Sequence, residues 1–170
     1  MSHDPVQKHR AEGKRAARCL VVTVSDTRTL ADDTSGQTAC DLLVAAGHEV
    51  REREIVPDDR KRIVALIRAG VANPGIDAVV LTGGTGVAPR DVTYEAVQEV
   101  LEKPLDGFGE LFRSLSYAEI GSAAMLSRAI GGVVGHTVVF ALPGSTKAVR
   151  LGIEKLVGRE LGHILGLIAP

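Results

Sequence analysis

The sequence predicts an α/β fold with a mainly parallel sheet and helices on both of its faces. Short runs rich in Val, Ile and Leu, at 19–24, 76–81 and 137–142, have the composition of strands that are buried on both faces. Segments with helical spacing lie between these runs. Strands that alternate with helices are typical of parallel sheets, because two parallel strands need a long crossover connection.

The predicted elements form one continuous series with no internal repeat. They are a strand at 19–24, a helix from 32–35 to 46, a strand at 49–56, a helix from 57–59 to 71, a strand at 76–81, a helix at 92–101, a helix at 107–120, a strand at 137–142 and a helix at 145–167.

Local signals set the boundaries in the first half of the chain. Residues 32–35, Asp-Asp-Thr-Ser, offer N-cap side chains for the first helix, and Gly47 closes it. Residues 49–56 alternate between polar and apolar side chains, as a strand does. Residues 57–59, Pro-Asp-Asp, begin the second helix, and the turn Asn-Pro-Gly at 73–75 precedes the third strand.

The second half carries one ambiguous stretch. Pro104 ends the helix at 92–101. The helix at 107–120 has an apolar side formed by Phe108, Leu111, Phe112 and Leu115. Residues 121–134 are apolar but rich in Gly and Ala, so their pattern does not decide between helix and strand.

Size and composition predict one domain. A chain of 170 residues with 45% hydrophobic content can bury one sizeable core, which is mostly aliphatic because the chain has three Phe, two Tyr and no Trp. Residues 1–17 are polar and mildly basic, and we expect a flexible arm there. A tail that clasps a neighbouring subunit is the open alternative. We assign residues 18–170 to a single domain.

Composition also argues against several functional classes. The chain has 20 Lys and Arg against 21 Asp and Glu, and only 3% aromatic residues, which disfavours binding to nucleic acid. No apolar stretch reaches transmembrane length, and the start MSHDPVQKHR lacks the apolar core of a secretory signal. Cys19 and Cys40 form no zinc or disulfide pattern, and we expect two reduced, buried thiols. These features predict a cytoplasmic protein that binds no membrane.

The parallel sheet selects the candidate site. Ligands of such folds bind beyond the carboxyl ends of the strands. Four segments follow predicted strands: Ser25-Asp26, Pro57-Asp58-Asp59, residues 82–91, and Pro143-Gly144-Ser145. We expect these segments to line one site.

The segment Thr82-Gly83-Gly84-Thr85-Gly86 carries the sharpest signal. Glycines let backbone N–H groups turn inward and approach an anion closely, and the helix that follows adds a favourable dipole. A tight turn is the structural alternative, although a turn usually needs only one glycine. The segment matches neither GxxxxGK[ST] nor GxGxxG, so a P-loop enzyme and a dinucleotide dehydrogenase are both disfavoured.

Charged residues close to this segment suggest phosphate chemistry. Arg90 could clamp a phosphate, and Asp58 and Asp91 could share a Mg²⁺ that is held partly by substrate phosphates. Helix capping is the alternative for both aspartates, as it is for Ser25, Asp26 and Ser145. The five His show no metal-ligand spacing, and no GxSxG motif is present. Arg113 and Arg128 are interpreted as surface or interface residues.

Taken together, these segments resemble the MoaB/Mog family of molybdenum cofactor biosynthesis proteins. The resemblance covers about residues 18–168, and its ending is most similar to the bacterial MoaB branch. It rests on VVTVSDTR (21–28), DDTSG (32–36), LTGGTGVAPRDVT (81–93), GFGELFRSLS (107–116), SRAIGGV (127–133) and FALPGSTKA (140–148).

The resemblance implies a fold and a reaction. The fold is a three-layer α/β/α arrangement whose mostly parallel sheet carries a small antiparallel element. The reaction is adenylylation of molybdopterin with Mg-ATP and release of pyrophosphate, and the implied cofactor is Mg²⁺, with no tightly bound group needed for folding. Asp58 and Asp91 are the implied catalytic and metal-binding residues. The implied substrate-binding residues are Ser25, Asp26, Thr82, Gly83, Gly84, Thr85, Gly86, Arg90, Pro143, Gly144 and Ser145.

The resemblance also bears on the active segment and on the oligomeric state. Residues 90–93, Arg-Asp-Val-Thr, stand as in the active branch of the family, whereas Tyr94 replaces the usual Pro. We expect a homo-hexamer in preference to a trimer. The alternatives are a non-catalytic molybdopterin carrier of the same pathway, a scaffolding protein, and an unrelated enzyme that binds another phosphate ester.

Overall fold

The computed structural model describes residues 15–169. Its elements are β1 (Arg18–Val24), α1 (Thr34–Ala45), β2 (Glu49–Val56), α2 (Arg60–Ala72), β3 (Ala78–Thr82), α3 (Thr93–Val100), β4 (Lys103–Pro104), α4 (Asp106–Ile120), a 3₁₀ helix (Gly121–Leu126), β5 (Ile130–Val134), β6 (Thr137–Leu142), α5 (Thr146–Gly152), a π-helical turn (Ile153–Val157) and α6 (Gly158–Leu167).

The strands form one six-stranded sheet in the order β2-β1-β3-β6-β5-β4. The neighbours among β2, β1, β3 and β6 are parallel, and β5 pairs antiparallel with both β6 and β4. Every residue of β3 and β6 is buried, which explains why these two strands read as continuous apolar runs. The expected parallel sheet with an antiparallel element is confirmed.

Two apolar layers flank the sheet. Successive side chains of a strand point to opposite faces, so β1, β3 and β6 each contribute to both layers. Helices α1, α4, α5 and α6 cover one face, where Leu43, Phe112, Val149 and Leu161 pack against Val21, Val80, Val138 and Phe140. Helices α2 and α3 cover the other face, where Ile63, Ile67 and Val97 pack against Val22, Val79, Leu81 and Val139.

The ambiguous stretch 121–134 becomes a short 3₁₀ helix followed by β5. Two of its glycines lie where a side chain would clash with its neighbours. A Cβ on Gly131 would lie 2.5 Å from Cδ1 of Phe140, and one on Gly132 would lie 2.6 Å from the Lys103 carbonyl oxygen. Pro104 does more than end a helix, since it pairs with Gly132 in β4. Close packing therefore explains why β5 contains glycines, and these glycines are the reason its sequence lacks the alternating pattern of a strand.

The final helix is interrupted, whereas the sequence predicted one helix over 145–167. Residues 153–157 form a π-helical turn between α5 and α6. Gly152 and Gly158 flank this turn, and a Cβ on Gly152 would lie 2.4 Å from Cδ2 of Leu142. The chain therefore adjusts its helical pitch where it packs most tightly against β6.

The amino-terminal edge of the sheet is closed by an ion pair. Asp77 precedes β3 and accepts hydrogen bonds from the backbone N–H of Arg18 at 2.9 Å and from its guanidinium at 2.8 Å. Ala17 is fully buried beside this pair. Residues 1–14 of the predicted arm lie outside the described residues. Within residues 15–169, no helix has both the length and the apolar character needed to cross a membrane.

Candidate functional site

Four loops meet at the carboxyl edge of the sheet, because β2, β1, β3 and β6 are parallel neighbours. Backbone hydrogen bonds link them: the N–H of Ser25 donates to the Val56 carbonyl at 2.9 Å, and the N–H of Gly83 donates to the Leu142 carbonyl at 3.0 Å. The Ser35 hydroxyl donates to the Gly144 carbonyl at 2.7 Å. The structure thus brings together the four segments that the sequence selected.

The glycine loop adopts a conformation that requires two of its glycines. Gly83 and Gly84 have φ values of +96° and +66°, in the left-handed region. A Cβ on Gly83 would lie 2.5 Å from the Val24 carbonyl oxygen, and one on Gly84 would lie 2.3 Å from Oγ1 of Thr93. The first glycine therefore lets β3 turn tightly over β1, and the second leaves a small cradle at the start of α3.

This loop presents a row of free backbone donors. Among the described residues, no carbonyl or side chain accepts a hydrogen bond from the N–H groups of Gly84, Thr85, Gly86 and Val87. Successive unpaired N–H groups that follow glycine turns create a concave, positively polarised surface, and such surfaces bind anions. The loop therefore has the donors that a phosphate group needs, as well as the geometry of a tight turn.

Asp58 is partly buried and lies close to other carboxylates. It is half-buried after β2, and its backbone N–H donates to Oδ1 of Asp26 at 3.0 Å. Burial raises the pKa of Asp58, the charge of Asp26 raises it further, Arg90 opposes the shift and Asp91 adds to it. Helix α2 is capped by Asp59 instead, which accepts from the N–H of Arg62 at 2.9 Å. Asp58 is therefore not a helix cap, and a cation would relieve the repulsion around it.

Asp91 closes the other end of the glycine loop. Its Oδ2 accepts a hydrogen bond from the N–H of Ala88 at 2.9 Å. It does not cap α3, because the N-cap position is Val92 and no side chain caps that helix. A Cβ on Gly86 would lie 2.6 Å from Oδ2 of Asp91, so the third glycine makes room for this carboxylate. The capping alternative therefore does not describe either aspartate.

The donor set fits Mg²⁺ bound together with a phosphate. Within residues 15–169, no group of three or more His, Cys, Asp and Glu side chains could hold a metal by itself. Mg²⁺ commonly takes one or two carboxylates and completes its octahedron with phosphate oxygens and water. Asp58 and Asp91 can supply the carboxylates. The Thr93 hydroxyl is buried without a partner in the described structure, and it borders the same Gly84 cradle as Oδ1 of Asp58.

The remaining predicted residues have local structural roles at the same edge. Oγ of Ser25 accepts from the N–H groups of Thr27 and Arg28, and Oγ of Ser145 accepts from the N–H of Ala148 and caps α5. Each serine keeps its own hydroxyl hydrogen as a donor. Thr82 is fully buried beneath the loop, with its Oγ1 3.4 Å from that of Thr23. Arg90 is exposed and Pro143 is half-buried.

A buried polar network supports the loops from below. Asp33 accepts from the Thr23 hydroxyl at 2.7 Å, from the N–H of Gly36 at 2.9 Å and from Nη2 of Arg53 at 3.0 Å. Burial alone would raise the pKa of Asp33, but these three donors together lower it. The carboxylate therefore stays charged and ties β1 and β2 to the start of α1. Nothing in the local sequence pattern distinguished Asp33 from the neighbouring cap candidates.

Sequence reasoning interpreted Arg128 as a surface or interface residue and missed its contact with the glycine loop. Only 27% of its side chain is exposed, and it packs against the glycine loop. Its Nε donates to the Gly86 carbonyl at 2.8 Å, and its Nη2 donates to the Asp91 carbonyl at 3.0 Å. Arg128 lies far from the loop along the chain, so spacing alone gave no signal for this contact.

Fold and site define an α/β protein with a glycine loop and two carboxylates at the carboxyl edge of its sheet. A family model described as a probable molybdopterin binding domain matches residues 20–163. The chain belongs to the MoaB/Mog family of molybdenum cofactor biosynthesis proteins.

Individual relatives support this assignment. Molybdenum cofactor biosynthesis protein B of Bacillus cereus is 52% identical over 160 residues, which span 94% of this chain and 95% of that protein. The protein of the same name from Bacillus subtilis is 49% identical over 161 residues, with the same two coverages of 94% and 95%.

Solved structures share this fold. A crystal structure of Molybdenum cofactor biosynthesis protein B is 53% identical, with a TM-score of 0.88 over 91% of this chain and 96% of that one. The tungsten cofactor synthesizing protein MoaB from Pyrococcus furiosus is 36% identical, with a TM-score of 0.82 over 92% of this chain and 99% of that one.

Proposed function

We propose that this protein binds molybdopterin and adenylylates it with Mg-ATP, releasing pyrophosphate. The observation that carries the proposal is the row of free N–H groups from Gly84 to Val87, placed between Asp58 and Asp91. An anion-binding loop beside two carboxylates suits a reaction between two phosphate-bearing substrates. Family membership supplies molybdopterin as the first of these substrates.

The proposed reaction is a single displacement at phosphorus. An oxygen of the molybdopterin phosphate attacks the α-phosphorus of ATP and forms a new P–O bond. The bond between the α-phosphorus and the oxygen that bridges to the β-phosphate breaks, and its electron pair leaves with pyrophosphate. The protein contributes alignment and charge stabilisation in this scheme, since neither substrate becomes bonded to a side chain.

Each part of the site has a role in this scheme. The N–H groups of residues 84–87 bind phosphate oxygens, and Arg90 adds a mobile positive charge at the exposed rim. Asp58 and Asp91 would hold Mg²⁺, with the Thr93 hydroxyl beside them. Bound Mg²⁺ neutralises charge on the phosphates of ATP. Ser25, Asp26 and the residues Pro143, Gly144 and Ser145 form the flanks that orient the two substrates.

The test separates an enzyme from a carrier. Purified protein is mixed with molybdopterin, ATP and Mg²⁺, and adenylylated molybdopterin is measured by mass spectrometry while molybdopterin binding is measured by calorimetry. We expect product from the wild type and none from Asp58→Asn. Binding without product would support the non-catalytic carrier. Absence of both binding and product would contradict the proposal.

We also propose a homo-hexamer in preference to a trimer. Leu111, Tyr117, Ile120, Met125 and Leu126, on α4 and the adjoining 3₁₀ helix, are all more than half exposed. Such a concentration of exposed apolar side chains favours burial against another subunit. Light scattering after size-exclusion chromatography should give the mass of six chains, and the mass of one chain would contradict the proposal.

The proposed place of action is the cytoplasm. Cys19 and Cys40 are free and buried, and burial raises the pKa of Cys19 to about 12, so its thiol is unreactive. Buried, unreactive thiols are compatible with a reducing compartment. Fractionation of cells that produce the protein should recover it with the cytoplasmic proteins.

A further inference from the structure

We infer that Arg128 is a positioning residue, which fixes the glycine loop and Asp91 in the arrangement that binds and aligns the phosphates. This inference rests on the proposed function and concerns the same site. Arg128 acts through backbone carbonyl groups, so it does not need to contact either substrate.

Arg128 holds the loop at several points. Its backbone N–H donates to the Thr85 carbonyl at 3.2 Å, its Nε to the Gly86 carbonyl at 2.8 Å and its Nη2 to the Asp91 carbonyl at 3.0 Å. The loop from Thr85 to Asp91 is therefore tied at both ends to one residue. Arg128 lies two residues before β5, so these contacts connect the loop to the antiparallel part of the sheet.

Peptide geometry gives these contacts a consequence for the anion site. In a planar trans peptide the carbonyl and the N–H of the next residue point in opposite directions. When the carbonyls of Thr85 and Gly86 turn toward Arg128, the N–H groups of Gly86 and Val87 must point away from it. These are two of the donors that have no acceptor among the described residues. Arg128 therefore orients the donors as well as the backbone of Asp91.

The guanidinium is itself held in place from α3. Glu95 forms an ion pair with Nη1 and Nη2 of Arg128, and the guanidinium carbon lies 5.1 Å from the centroid of the Tyr94 ring. Burial alone would raise the pKa of Glu95, but the hydrogen bond and the charge of Arg128 lower it, so the pair stays charged at neutral pH. A guanidinium between a carboxylate and an aromatic face has little freedom to move.

Arginine is the one side chain that can make this set of contacts. Its planar fork presents donors in fixed directions, toward two carbonyls and a carboxylate at once, whereas the ammonium of lysine is a single point donor. The variant Arg128→Lys keeps the charge and loses the fork. It therefore separates positioning from simple charge. Arg150→Ala is the matched control, because Arg150 on α5 forms an ion pair with Glu154 of the following π-helical turn, outside the glycine loop.

Two measurements test the inference on the full-length chain. Steady-state kinetics gives kcat and KM for ATP. Amide hydrogen exchange is followed at Ala88 and Asp91, whose N–H groups are hydrogen-bonded within the loop, and is compared with exchange in the buried strand β6. We expect kcat to fall about 100-fold in Arg128→Ala, as for a misaligned site, and about tenfold in Arg128→Lys. Exchange of the Ala88 and Asp91 amides should accelerate relative to β6 in both variants, whereas Arg150→Ala should match the wild type in both measurements.

Three results would overturn the inference. One is a kcat for Arg128→Lys equal to that of the wild type. Another is unchanged relative exchange of the Ala88 and Asp91 amides in Arg128→Ala. The third is a rise in KM for ATP with no change of exchange, because that result indicates direct contact with the substrate. A wild-type protein without turnover would count against the proposed function instead, and the exchange comparison would still decide the role of Arg128.

Discussion

Asp26 and Asp58 are joined across two strand ends: Oδ1 of Asp26 accepts the backbone N–H of Asp58 at 3.0 Å. The bond ties the loop after β1 to the loop after β2. It also places two carboxylates close together. Burial is the main cause of the raised pKa of Asp58, and the negative charge of Asp26 is the second cause. This one contact links the fold of the carboxyl edge to the chemistry proposed for it.

Removing the charge of Asp26 should shift the pH dependence of activity. Asp58 must be ionised to hold a cation, so activity should rise with pH through its pKa. The variant Asp26→Asn keeps a side-chain acceptor but loses the repulsion, so the pKa of Asp58 falls and the acidic limb of the pH–rate profile moves to lower pH. Asp41→Asn, an exposed change on α1, serves as the control. An acidic limb at the wild-type position would contradict this assignment.

A side chain at position 84 should damage binding rather than folding alone. In Gly84→Ala the Cβ would lie 2.3 Å from Oγ1 of Thr93 and 3.0 Å from Oδ1 of Asp58, so calorimetry should show at least about tenfold weaker binding of Mg-ATP. Gly84→Val should weaken binding further.

Gly135→Ala is the control. Gly135 has a similar φ of +57°, and a Cβ added there meets no described atom within 4 Å. This variant should cost about 1 kcal/mol of stability and leave affinity unchanged. If Gly84→Ala and Gly135→Ala weakened Mg-ATP binding equally, the effect at position 84 would not be local.

The Thr93 hydroxyl has no hydrogen-bond partner among residues 15–169, so its removal should raise stability and weaken binding. A buried hydroxyl without a partner destabilises the fold, and Thr93→Val replaces it with a methyl group of similar size. Urea denaturation should therefore show Thr93→Val to be about 1 kcal/mol more stable than the wild type. Its affinity for Mg-ATP should be lower, whereas Thr93→Ser should retain the affinity. A valine variant that is more stable and binds normally would show that the hydroxyl has no part in the site.

The ion pair at the opposite edge predicts a pH-dependent stability. Hydrogen bonds from Arg18 lower the pKa of Asp77 in the folded state, so its stabilising contribution is present above the unfolded pKa and is lost as the pH falls through the folded pKa. At pH 7, Asp77→Asn should cost about 2 kcal/mol in urea denaturation. The difference should shrink below about pH 4. The activity should not change, because Asp77 lies at the amino edge. A constant difference down to acidic pH would contradict the ionic explanation.

Local sequence signals were sufficient for the parallel half of the fold. Buried strands such as Ala78–Thr82 are mostly apolar and are followed by turn residues, so the strand-end loops could be located from the sequence. The alternation of strands and helices then placed these loops on one edge. Asp58 was found because it lies two residues after the end of β2, and Asp91 because it lies at the end of the segment that connects β3 to the next helix.

The antiparallel half depends on tertiary contacts that no local pattern records. Gly131 and Gly132 are small because Phe140 and Lys103 occupy the space, which removed the alternating pattern of β5. The contact between Arg128 and Gly86 exists only once β5 pairs with β6. Thr93 was also missed as a candidate, because its hydroxyl stands out only when its lack of a partner is visible in three dimensions.

The most direct test of the account is a single-turnover measurement of pyrophosphate release with excess protein, molybdopterin, ATP and Mg²⁺. We predict one equivalent of pyrophosphate for each adenylylated molybdopterin in the wild type, and a loss of at least about 1,000-fold in the rate for Asp91→Asn. The control Asp41→Asn should behave as the wild type. Wild-type turnover in Asp91→Asn, or pyrophosphate release that does not require molybdopterin, would contradict the account.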